Sequence, residues 1–516
     1  MSSAIEKRLL SGTTLGIISF FILFVQTVIF VPVFLKSWGK DNFGLWLSIN
    51  ALYSILKTFD NGHQSYVGNE LCKLFFLDKN KLKIVLASSI QTALLLGCLE
   101  MIISISIVMC GLFGWALGVK NVTTDQFDIK FGFVFLVATW FFSGSVGGIL
   151  VRMYAPVGLY SRAVLWGMAM QIAQTFGVLI TVKIGGGIAM ALIVSGVVPA
   201  IAIFFIVYDL RKHFYDIYPF WQGGNLKTGL INLRNSLTLT MIGFLLQLQN
   251  SGIILAVSSV LGTSVAPILT TLRTLSNMFI QATTLLTQPL FPEMVRYYIQ
   301  KDHYKLKETI HTSWLVSGLL INIGLLITLP FVEFVYLKWT RNLIAFNLSL
   351  YLLLALSVSL KNFGAPLTTY LAGINNLKAQ TTASAMQTAI IFGVVFLYIS
   401  KYSLLAIGMA IVVGELIGSV LIPIVFTAKE LKKIGGTLSV PQIILTMGGV
   451  MFVGVVFLGI SLKLLSSITG SVIGVTSLVI ICVLQWKNLS YDVRNRLRLL
   501  LYSKFKFLRR EAFICK

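Results

Sequence analysis

Charged residues are scarce in this chain of 516 residues. Asp, Glu, Lys and Arg make up only 11% of it, and mean hydropathy is +0.87. Soluble proteins carry charge on about a quarter of their residues. Acidic residues are rarer than basic ones, with 18 Asp and Glu against 41 Lys and Arg. This composition excludes an ordinary soluble domain and predicts a polytopic membrane protein.

Residues that commonly do chemistry are also few. The chain has four histidines and five cysteines, with no Cys-x-x-Cys pair and no His-Glu-x-x-His run. It also lacks the Gly-x-x-x-x-Gly-Lys-Ser/Thr loop that binds nucleotide phosphates. We therefore predict no catalytic residues, no metal site and no cofactor, and a transporter rather than an enzyme.

Long apolar stretches fill the sequence instead. We count fourteen, each near the roughly 20 residues that a helix needs to cross a bilayer. The connections between them are too short to hold a folded soluble domain. The predicted fold class is an all-α polytopic membrane protein of about 14 transmembrane helices.

Basic residues alternate from one connection to the next. Thirty of the 41 Lys and Arg fall on one side, nine on the other, and only Lys57 and Arg273 fall inside helices. The positive-inside rule makes the rich side cytoplasmic, and an even number of spans puts both termini there. The net charge of +23 then reflects orientation and contact with anionic membrane lipids, and nucleic acid is not a predicted partner.

A weak internal repeat appears at an offset of 223 residues. It aligns Gly39 with Gly262, in outer connections, and Glu70 with Glu293, after helices two and eight. This spacing predicts two six-helix lobes in a parallel pseudo-twofold repeat, followed by two extra helices. The predicted divisions are an N-terminal lobe at 1–234, a C-terminal lobe at 235–433, and helices 13–14 with a basic cytoplasmic tail at 434–516.

Arg273 is the clearest ionisable group inside an apolar stretch. Asn277 and Gln281 follow it at four-residue steps, so the three side chains share one helical face. Intramembrane charge usually marks a functional site, and arginine suits phosphate binding. We predict that these residues bind substrate. The alternative is an arginine that pairs with a carboxylate and ties helices together.

Polar residues on two other helices extend this prediction. The second helix carries Asn50 and Lys57, with Asp60 at its cytoplasmic mouth, and the seventh carries Gln247 and Gln249. Amides on several helices suit sugar hydroxyls. We predict that the three amides, together with Lys57 and Asp60, bind substrate. The alternatives are hydrogen bonds that join helices and, for Lys57, an amine that snorkels to the interface.

Two acids lie deep in apolar sequence, Glu100 in the third helix and Glu415 in the twelfth. A buried carboxyl group can carry a proton through a transport cycle. We predict that they couple transport to H⁺ or Na⁺. The alternative is a neutral or paired structural acid.

Short motifs add a family resemblance. The outer-loop stretch Phe34–Trp46 contains Trp-Gly-Lys-Asp-Asn-Phe-Gly-Leu-Trp, and Phe59–Gly62 and Asn69–Glu70 follow the second helix. These resemble motifs of bacterial polysaccharide-unit flippases. With its fourteen spans and basic cytoplasmic face, the chain is similar to O-antigen (Wzx-type) flippases of the multidrug/oligosaccharidyl-lipid/polysaccharide (MOP) exporter superfamily.

The resemblance implies a function in O-antigen and lipopolysaccharide biosynthesis. The expected substrate is an undecaprenyl-diphosphate-linked oligosaccharide, flipped from the cytoplasmic to the periplasmic leaflet of the bacterial inner membrane. Alternating access and ion-gradient coupling are implied too, with a polysaccharide polymerase and a chain-length regulator as partners. Relatives carry cationic residues in a central cavity, and Arg273 looks like one of them.

Two other functions stay open. A drug or cation exporter of the same fold, similar to MATE transporters, should carry acids in its N-terminal lobe. A membrane glycosyltransferase or polymerase should carry catalytic acids in a large outer loop. The largest predicted outer loop, about 116–128, offers only Asp125 and Asp128.

Overall fold

The described part of the chain is helical throughout. A computed structural model describes residues 2–118, 125–287, 290–489, 491, 494 and 495, and no strand occurs among them. Most of the predicted basic tail lies outside the described residues. Twenty α-helices follow one another: α1 Ser2–Leu56, α2 Thr58–Leu77, α3 Lys79–Met109, α4 Leu112–Leu117, α5 Asp125–Trp140, α6 Gly147–Val151, α7 Tyr160–Lys183, α8 Ile188–His213, α9 Leu226–Gln247, α10 Ile253–Leu261, α11 Ala266–Thr287, α12 Leu290–Ile299, α13 His303–Gly318, α14 Gly324–Trp339, α15 Leu348–Gly373, α16 Leu377–Tyr402, α17 Leu404–Glu415, α18 Ile422–Lys433, α19 Val440–Ser461 and α20 Ser467–Lys487.

Side-chain caps fix several helix starts. Asp78 accepts hydrogen bonds from the backbone N–H groups of Asn80 and Lys81, each at 3.0 Å, where α3 begins. Asn225 caps α9 in the same way, and Ser466 caps α20. These side chains satisfy N–H groups that have no partner within the helix.

Two glycines share an unusual backbone conformation. Gly39 has φ 71° and ψ −177° and divides α1 into two helical parts. Gly262, which ends α10, has φ 94° and ψ 159°. Only glycine adopts this region without strain, because a Cβ would crowd the residue's own adjoining peptide groups. The pair that the 223-residue offset aligned therefore matches in backbone geometry.

Twelve of the described helical segments are long and apolar enough to cross a membrane. The first two predicted stretches fall on either side of Gly39, within the same continuous helical run. The predicted eighth stretch corresponds to α11, which is not among the twelve because polar residues such as Arg273 lower its hydropathy. Splitting the run at Gly39 and adding α11 accounts for the approximate count of fourteen.

The side chains are distributed as in a protein surrounded by lipid. Large apolar residues such as Phe204 and Phe396 are at least 70% exposed. Polar ones such as Asp60, Glu100 and Ser258 are buried. A water-soluble fold would show the reverse pattern. Together with the candidate spans, this indicates a multi-pass membrane protein.

The chain forms two compact units. Unit 1 comprises Met1–Leu272, Phe334–Asn347 and Ile391–Ile407, and unit 2 comprises Arg273–Glu333, Leu348–Ile390 and Gly408–Lys516. In unit 1, α2 packs on α9, and α5 on α8. In unit 2, α15 packs on α19 and α13. The sequence-based lobes at 1–234 and 235–433 stay a prediction.

One hydrogen-bonded cluster in unit 1 joins α7 and α8. Asp209 accepts two hydrogen bonds from the Arg162 guanidinium, at 2.7 and 2.6 Å, and one from the Tyr154 hydroxyl at 2.5 Å. The Trp166 indole N–H also donates to it, at 3.3 Å. Removing the carboxylate would leave a buried hydroxyl and a half-exposed guanidinium without their acceptor.

We therefore expect Asp209→Ala to lower the free energy of unfolding by roughly 1–3 kcal/mol, the cost of a buried donor left without an acceptor. Thermal unfolding of the purified protein in detergent measures it. Glu70→Ala is the matched control, because the ion pair of Glu70 with Lys73 at 2.7 Å is more exposed and such pairs contribute about 0–1 kcal/mol. Equal shifts for the two variants would contradict a stabilising role for the Asp209 cluster.

Candidate functional site

Asp60 lies at the centre of a polar cluster in unit 1. Its side chain is 1% exposed and accepts hydrogen bonds from the Trp140 indole N–H at 3.0 Å and from the Ser145 hydroxyl. The segment Phe141–Val146, which follows α5, is a π-helical turn. In such a turn the repeat is widened, so residues five apart come nearer to one face. This local geometry lets Trp140 and Ser145 reach the same carboxylate.

Lys57 is held by aromatic rings in the same cluster. Its Nζ lies 4.8 Å from the centroid of the Tyr53 ring and 5.4 Å from that of Trp140. The two rings meet edge to face, with centroids 5.9 Å apart. A cation over ring faces is stabilised without a carboxylate. Within the described residues, Lys57 forms no ion pair.

Glu100 reaches this cluster from α3. It is 1% exposed, and its Oε1 has no hydrogen-bond partner among the described residues. The helix that carries it, α3, packs against α2 and against the π-helical turn Phe141–Val146. The structure thus brings Lys57 and Asp60, both predicted to bind substrate, to the same indole of Trp140, and places Glu100, predicted to couple an ion, on a helix packed beside them.

Sequence reasoning missed three members of this neighbourhood. It did not single out Trp140 or Ser145, and it assigned Arg152 to a cytoplasmic loop. The Arg152 guanidinium donates to Gln64 Oε1 at 3.2 Å and to the Gly148 carbonyl at 3.1 Å. The sequence signal that could have found them is the glycine-rich run beside them. In the structure this run allows close packing, since a Cβ on Gly148 would lie 2.2 Å from Gln64.

The predicted amides of unit 1 make mostly local contacts. Asn50 donates to the Trp46 carbonyl at 2.8 Å, and Gln247 donates to the Ser251 hydroxyl at 2.5 Å, each within its own helical run. Gln249 is buried on the π-helical turn Leu248–Gly252. None of these contacts adds Asn50, Gln247 or Gln249 to the Asp60 cluster, and their role in substrate binding stays a prediction.

In unit 2, Glu415 lies within electrostatic range of Arg273. Arg273 is half-buried on α11, and Glu415, which ends α17, is 7% exposed and acts electrostatically on it. The Ser419 hydroxyl, on the π-helical turn Leu416–Leu421, donates to Glu415. A carboxylate near Arg273 is compatible with the alternative of an arginine that ties helices together, which stays a prediction as well. Substrate binding by Arg273 also stays a prediction. A diphosphate can compete with one carboxylate for the guanidinium.

Asn277 and Gln281 continue along α11 beyond Arg273. Asn277 is half-buried and Gln281 is exposed. The exposure of the stripe therefore increases along the helix.

The outer-loop motif forms a packed aromatic cluster. Phe34 stacks on Trp38 with centroids 4.9 Å apart, and Phe43 and Trp46 pack against Phe34 at 5.6 and 5.7 Å. The Trp38 indole N–H donates to the Gly186 carbonyl at 3.0 Å. These contacts hold the two parts of α1 together around its bend, so the motif aromatics have a structural role.

Comparison with solved structures identifies the fold. The lipid II flippase MurJ, in an inward closed conformation, matches with a TM-score of 0.62 and 14% identity, over 95% of this chain and 99% of its own. An inward-facing MATE multidrug transporter of the MOP superfamily matches with 0.57 and 14%, over 80% and 95%. The chain has the MOP-superfamily fold. This confirms the predicted fold class.

A further MOP-superfamily transporter, from Pyrococcus furiosus, matches with a TM-score of 0.53 and 15% identity, over 84% of this chain and 97% of its own. No family model matches the chain, and no curated protein matches it. MurJ and this chain correspond over nearly their full lengths, whereas the MATE match leaves about a fifth of this chain unmatched.

Proposed function

We propose that this chain is a flippase for an undecaprenyl-diphosphate-linked oligosaccharide, an O-antigen or related polysaccharide repeat unit. It moves this lipid from the cytoplasmic to the periplasmic leaflet by alternating access. The observation that carries the proposal is the near full-length likeness to MurJ, a protein named for flipping lipid II. The motif around Phe34–Trp46 narrows the substrate class.

The physical problem is to move a polar, anionic head group through an apolar layer. Arg273 would bind the diphosphate, since a guanidinium can donate two parallel hydrogen bonds to phosphate oxygens. Lys57 would add positive charge, and the lipid tail would stay in the bilayer. Sugar hydroxyls would be bound by the remaining polar candidates, Asn50, Asp60, Gln247, Gln249, Asn277 and Gln281.

The proposed setting is the bacterial cytoplasmic membrane, with both termini in the cytoplasm. A polysaccharide polymerase and a chain-length regulator would use the flipped product. Energy would come from an ion gradient acting on buried acids, with Glu100 and Glu415 as the candidates.

A MATE-like cation exporter is the second candidate. It is favoured by two buried carboxyl groups of unit 1 that pair with no basic side chain among the described residues, Asp60 and Glu100, because an exporter of cations needs acids in its N-terminal part. The sign of the ligand charge separates the two functions.

Ligand-induced stabilisation tests that sign. We expect undecaprenyl diphosphate to raise the unfolding temperature of the full chain in nanodiscs, because a ligand at 100 times its dissociation constant stabilises a protein by about 2.7 kcal/mol. Undecaprenol, which lacks the phosphates, is the matched control and should have no such effect. Stabilisation by tetraphenylphosphonium but not by the diphosphate would overturn the flippase and support the cation exporter.

A further inference from the structure

We propose that unit 1 holds one anionic phospholipid in a groove between α7 and α8, with the lipid phosphate bound by Arg162 and Lys212. The ligand is a resident membrane lipid, a glycerophospholipid with a net negative head group such as phosphatidylglycerol. It uses none of the residues proposed above to bind substrate. The lipid site therefore goes beyond the flippase function and does not depend on it.

The groove is apolar and has a volume of about 310 Å³. Small side chains leave room for it between the two packed helices, namely Ala169 and Ala173 on α7 and Ala202 on α8. Ile201 and Phe205, both more than half exposed, form its wall on α8. An acyl chain gains van der Waals contacts in such a groove. It gains little else, because the surrounding bilayer is equally apolar, so a preference for one lipid must come from the head group.

Trp166 connects the groove to a cation. Its ring lines the groove, and its indole N–H donates to Asp209 at 3.3 Å. The same carboxylate accepts from Arg162 Nε at 2.7 Å and from Arg162 Nη2 at 2.6 Å. The Nη1 amino group of Arg162 has no acceptor among the described residues, and the side chain is 45% exposed. Asp209 thus holds the guanidinium in one orientation at the end of the groove, with N–H donors still available for a phosphate oxygen.

Lys212 brings a second cation to the same end of the groove. Only residues 184–187 join α7 to α8, so the two helices run in opposite directions and the start of α7 lies beside the end of α8. Lys212 follows Asp209 by three residues, which makes the two side chains neighbours on the helix surface. Its Nζ lies 4.4 Å from the centroid of the Tyr208 ring and forms no ion pair within the described part of the chain. Because Asp209 offsets Arg162, Lys212 supplies the net positive charge that attracts an anionic head group.

Exposed tyrosines indicate that this end of the groove lies at the level of the lipid head groups. Tyr160, which begins α7, and Tyr208 are both exposed. Tyrosine is enriched at membrane interfaces because its ring is apolar and its hydroxyl is polar. The positive-inside rule predicts that this side is cytoplasmic, where anionic phospholipids make the membrane surface negative. The depth and the charge of the site therefore both fit an anionic phospholipid.

A second apolar groove, between α1 and α7, lacks these charges. It is larger, about 400 Å³, and its lining includes Gln26, whose amide oxygen accepts a hydrogen bond from Gln171 at 2.8 Å. None of the described residues that line it is charged. We expect lipid chains to enter that groove without preference for a head group, which makes the cations the distinguishing feature of the groove between α7 and α8.

Native mass spectrometry tests the head-group half of the site. The full chain is titrated with phosphatidylglycerol or with phosphatidylcholine of the same acyl chains, and we expect one phosphatidylglycerol to bind more tightly than any phosphatidylcholine. Lys212→Gln should weaken this binding about fivefold, the contribution of one basic residue near an anionic membrane surface. Lys183→Gln is the matched control, because Lys183 ends the same helix roughly 30 Å from Arg162. It should leave the affinity unchanged.

Filling the groove tests the acyl-chain half. Ala169→Phe combined with Ala173→Phe should remove the tightly bound phosphatidylglycerol while both cations remain. Ala389→Phe, at an exposed position on α16, is the control and should retain the lipid. Arg162→Gln is combined with Asp209→Asn, so that no buried carboxylate loses its partner. This pair should weaken binding about tenfold, as expected for a lost charge-assisted hydrogen bond.

Equal binding of phosphatidylcholine, an unchanged affinity in Lys212→Gln, or a tight lipid that survives the two phenylalanines would overturn the site. Displacement of the lipid by an equal concentration of glycerol 3-phosphate, which lacks acyl chains, would contradict a role for the groove. Tighter binding of undecaprenyl phosphate would assign the groove to the transported lipid, and a dimer lost on filling it would assign it to a second copy of the chain; either result rejects the proposal. The flippase fails separately, since its own test is stabilisation by undecaprenyl diphosphate.

Discussion

Replacing Arg273 with alanine should weaken binding of undecaprenyl diphosphate by about 30-fold or more. Losing a charge-assisted pair costs roughly 2 kcal/mol or more, and each 1.4 kcal/mol is a factor of ten. The measurement is the concentration of undecaprenyl diphosphate that gives half of its maximal rise in the unfolding temperature of the full chain in nanodiscs. In cells, we expect the same variant to stop polysaccharide assembly while its level in the membrane stays normal.

Arg273→Lys gives the graded comparison. Lysine keeps the positive charge but is a point charge without the planar fork that grips two phosphate oxygens. We expect it to recover part of the lost affinity. Arg296→Ala is the matched control, because Arg296 is also in unit 2 and pairs with Glu293 at 2.9 Å on an exposed surface. It should bind the lipid as the unaltered chain does.

Glu415 separates substrate binding from a structural tie. If Arg273 and Glu415 serve only to join α11 and α17, Glu415→Gln should lower the unfolding temperature as much as Arg273→Ala and leave no specific binding defect. If Arg273 binds the diphosphate, Glu415→Gln should keep or strengthen binding, since it removes a competing acceptor. Unchanged lipid affinity in Arg273→Ala would remove this residue from the proposed site.

The fold class could be predicted from the sequence because each membrane-spanning helix is recognised from its own residues. An apolar run of about 20 residues predicts a helix whatever surrounds it. The two glycines at a 223-residue offset could also be recognised, since a bend such as that at Gly39 needs a residue without Cβ. Even so, periodicity did not reveal that the first two spans and α2 form one nearly continuous helical run.

The polar cluster of unit 1 was only half predictable. Asp60 and Glu100 could each be found, because an acid in apolar sequence is conspicuous. That they lie on two packed helices could not be predicted, since 40 residues separate them and the packing of α2 on α3 is a tertiary feature. Trp140 and Ser145 gave no signal at all. Both donate hydrogen bonds to Asp60 because a π-helical turn brings them to one face, and the composition of the segment does not predict that turn.

Gly44 is a position where we expect a severe folding defect. A Cβ there would lie 1.9 Å from the backbone oxygen of Thr263, within unit 1. Backbone cannot turn aside as a side chain can, so Gly44→Ala must displace one helical segment from another. Overpacking of this kind typically costs 1–3 kcal/mol or more. We expect little folded protein in the membrane and a clearly lower unfolding temperature in what remains.

Two other glycines make this prediction specific. At Gly39 a Cβ would meet nothing within 4 Å, but φ is +71° and ψ is −177°, so Gly39→Ala should cost only the backbone strain of about 1–3 kcal/mol. At Gly167, on α7, a Cβ also has open space and φ is not positive, so Gly167→Ala should be neutral or stabilise the helix by up to about 1 kcal/mol. Size-exclusion profiles and unfolding temperatures should rank the variants, from most to least stable, as Gly167→Ala, Gly39→Ala and Gly44→Ala. A Gly44→Ala protein as stable as Gly167→Ala would show that the motif glycine is not needed for close packing, leaving its place beside Phe43 and Trp46 unexplained.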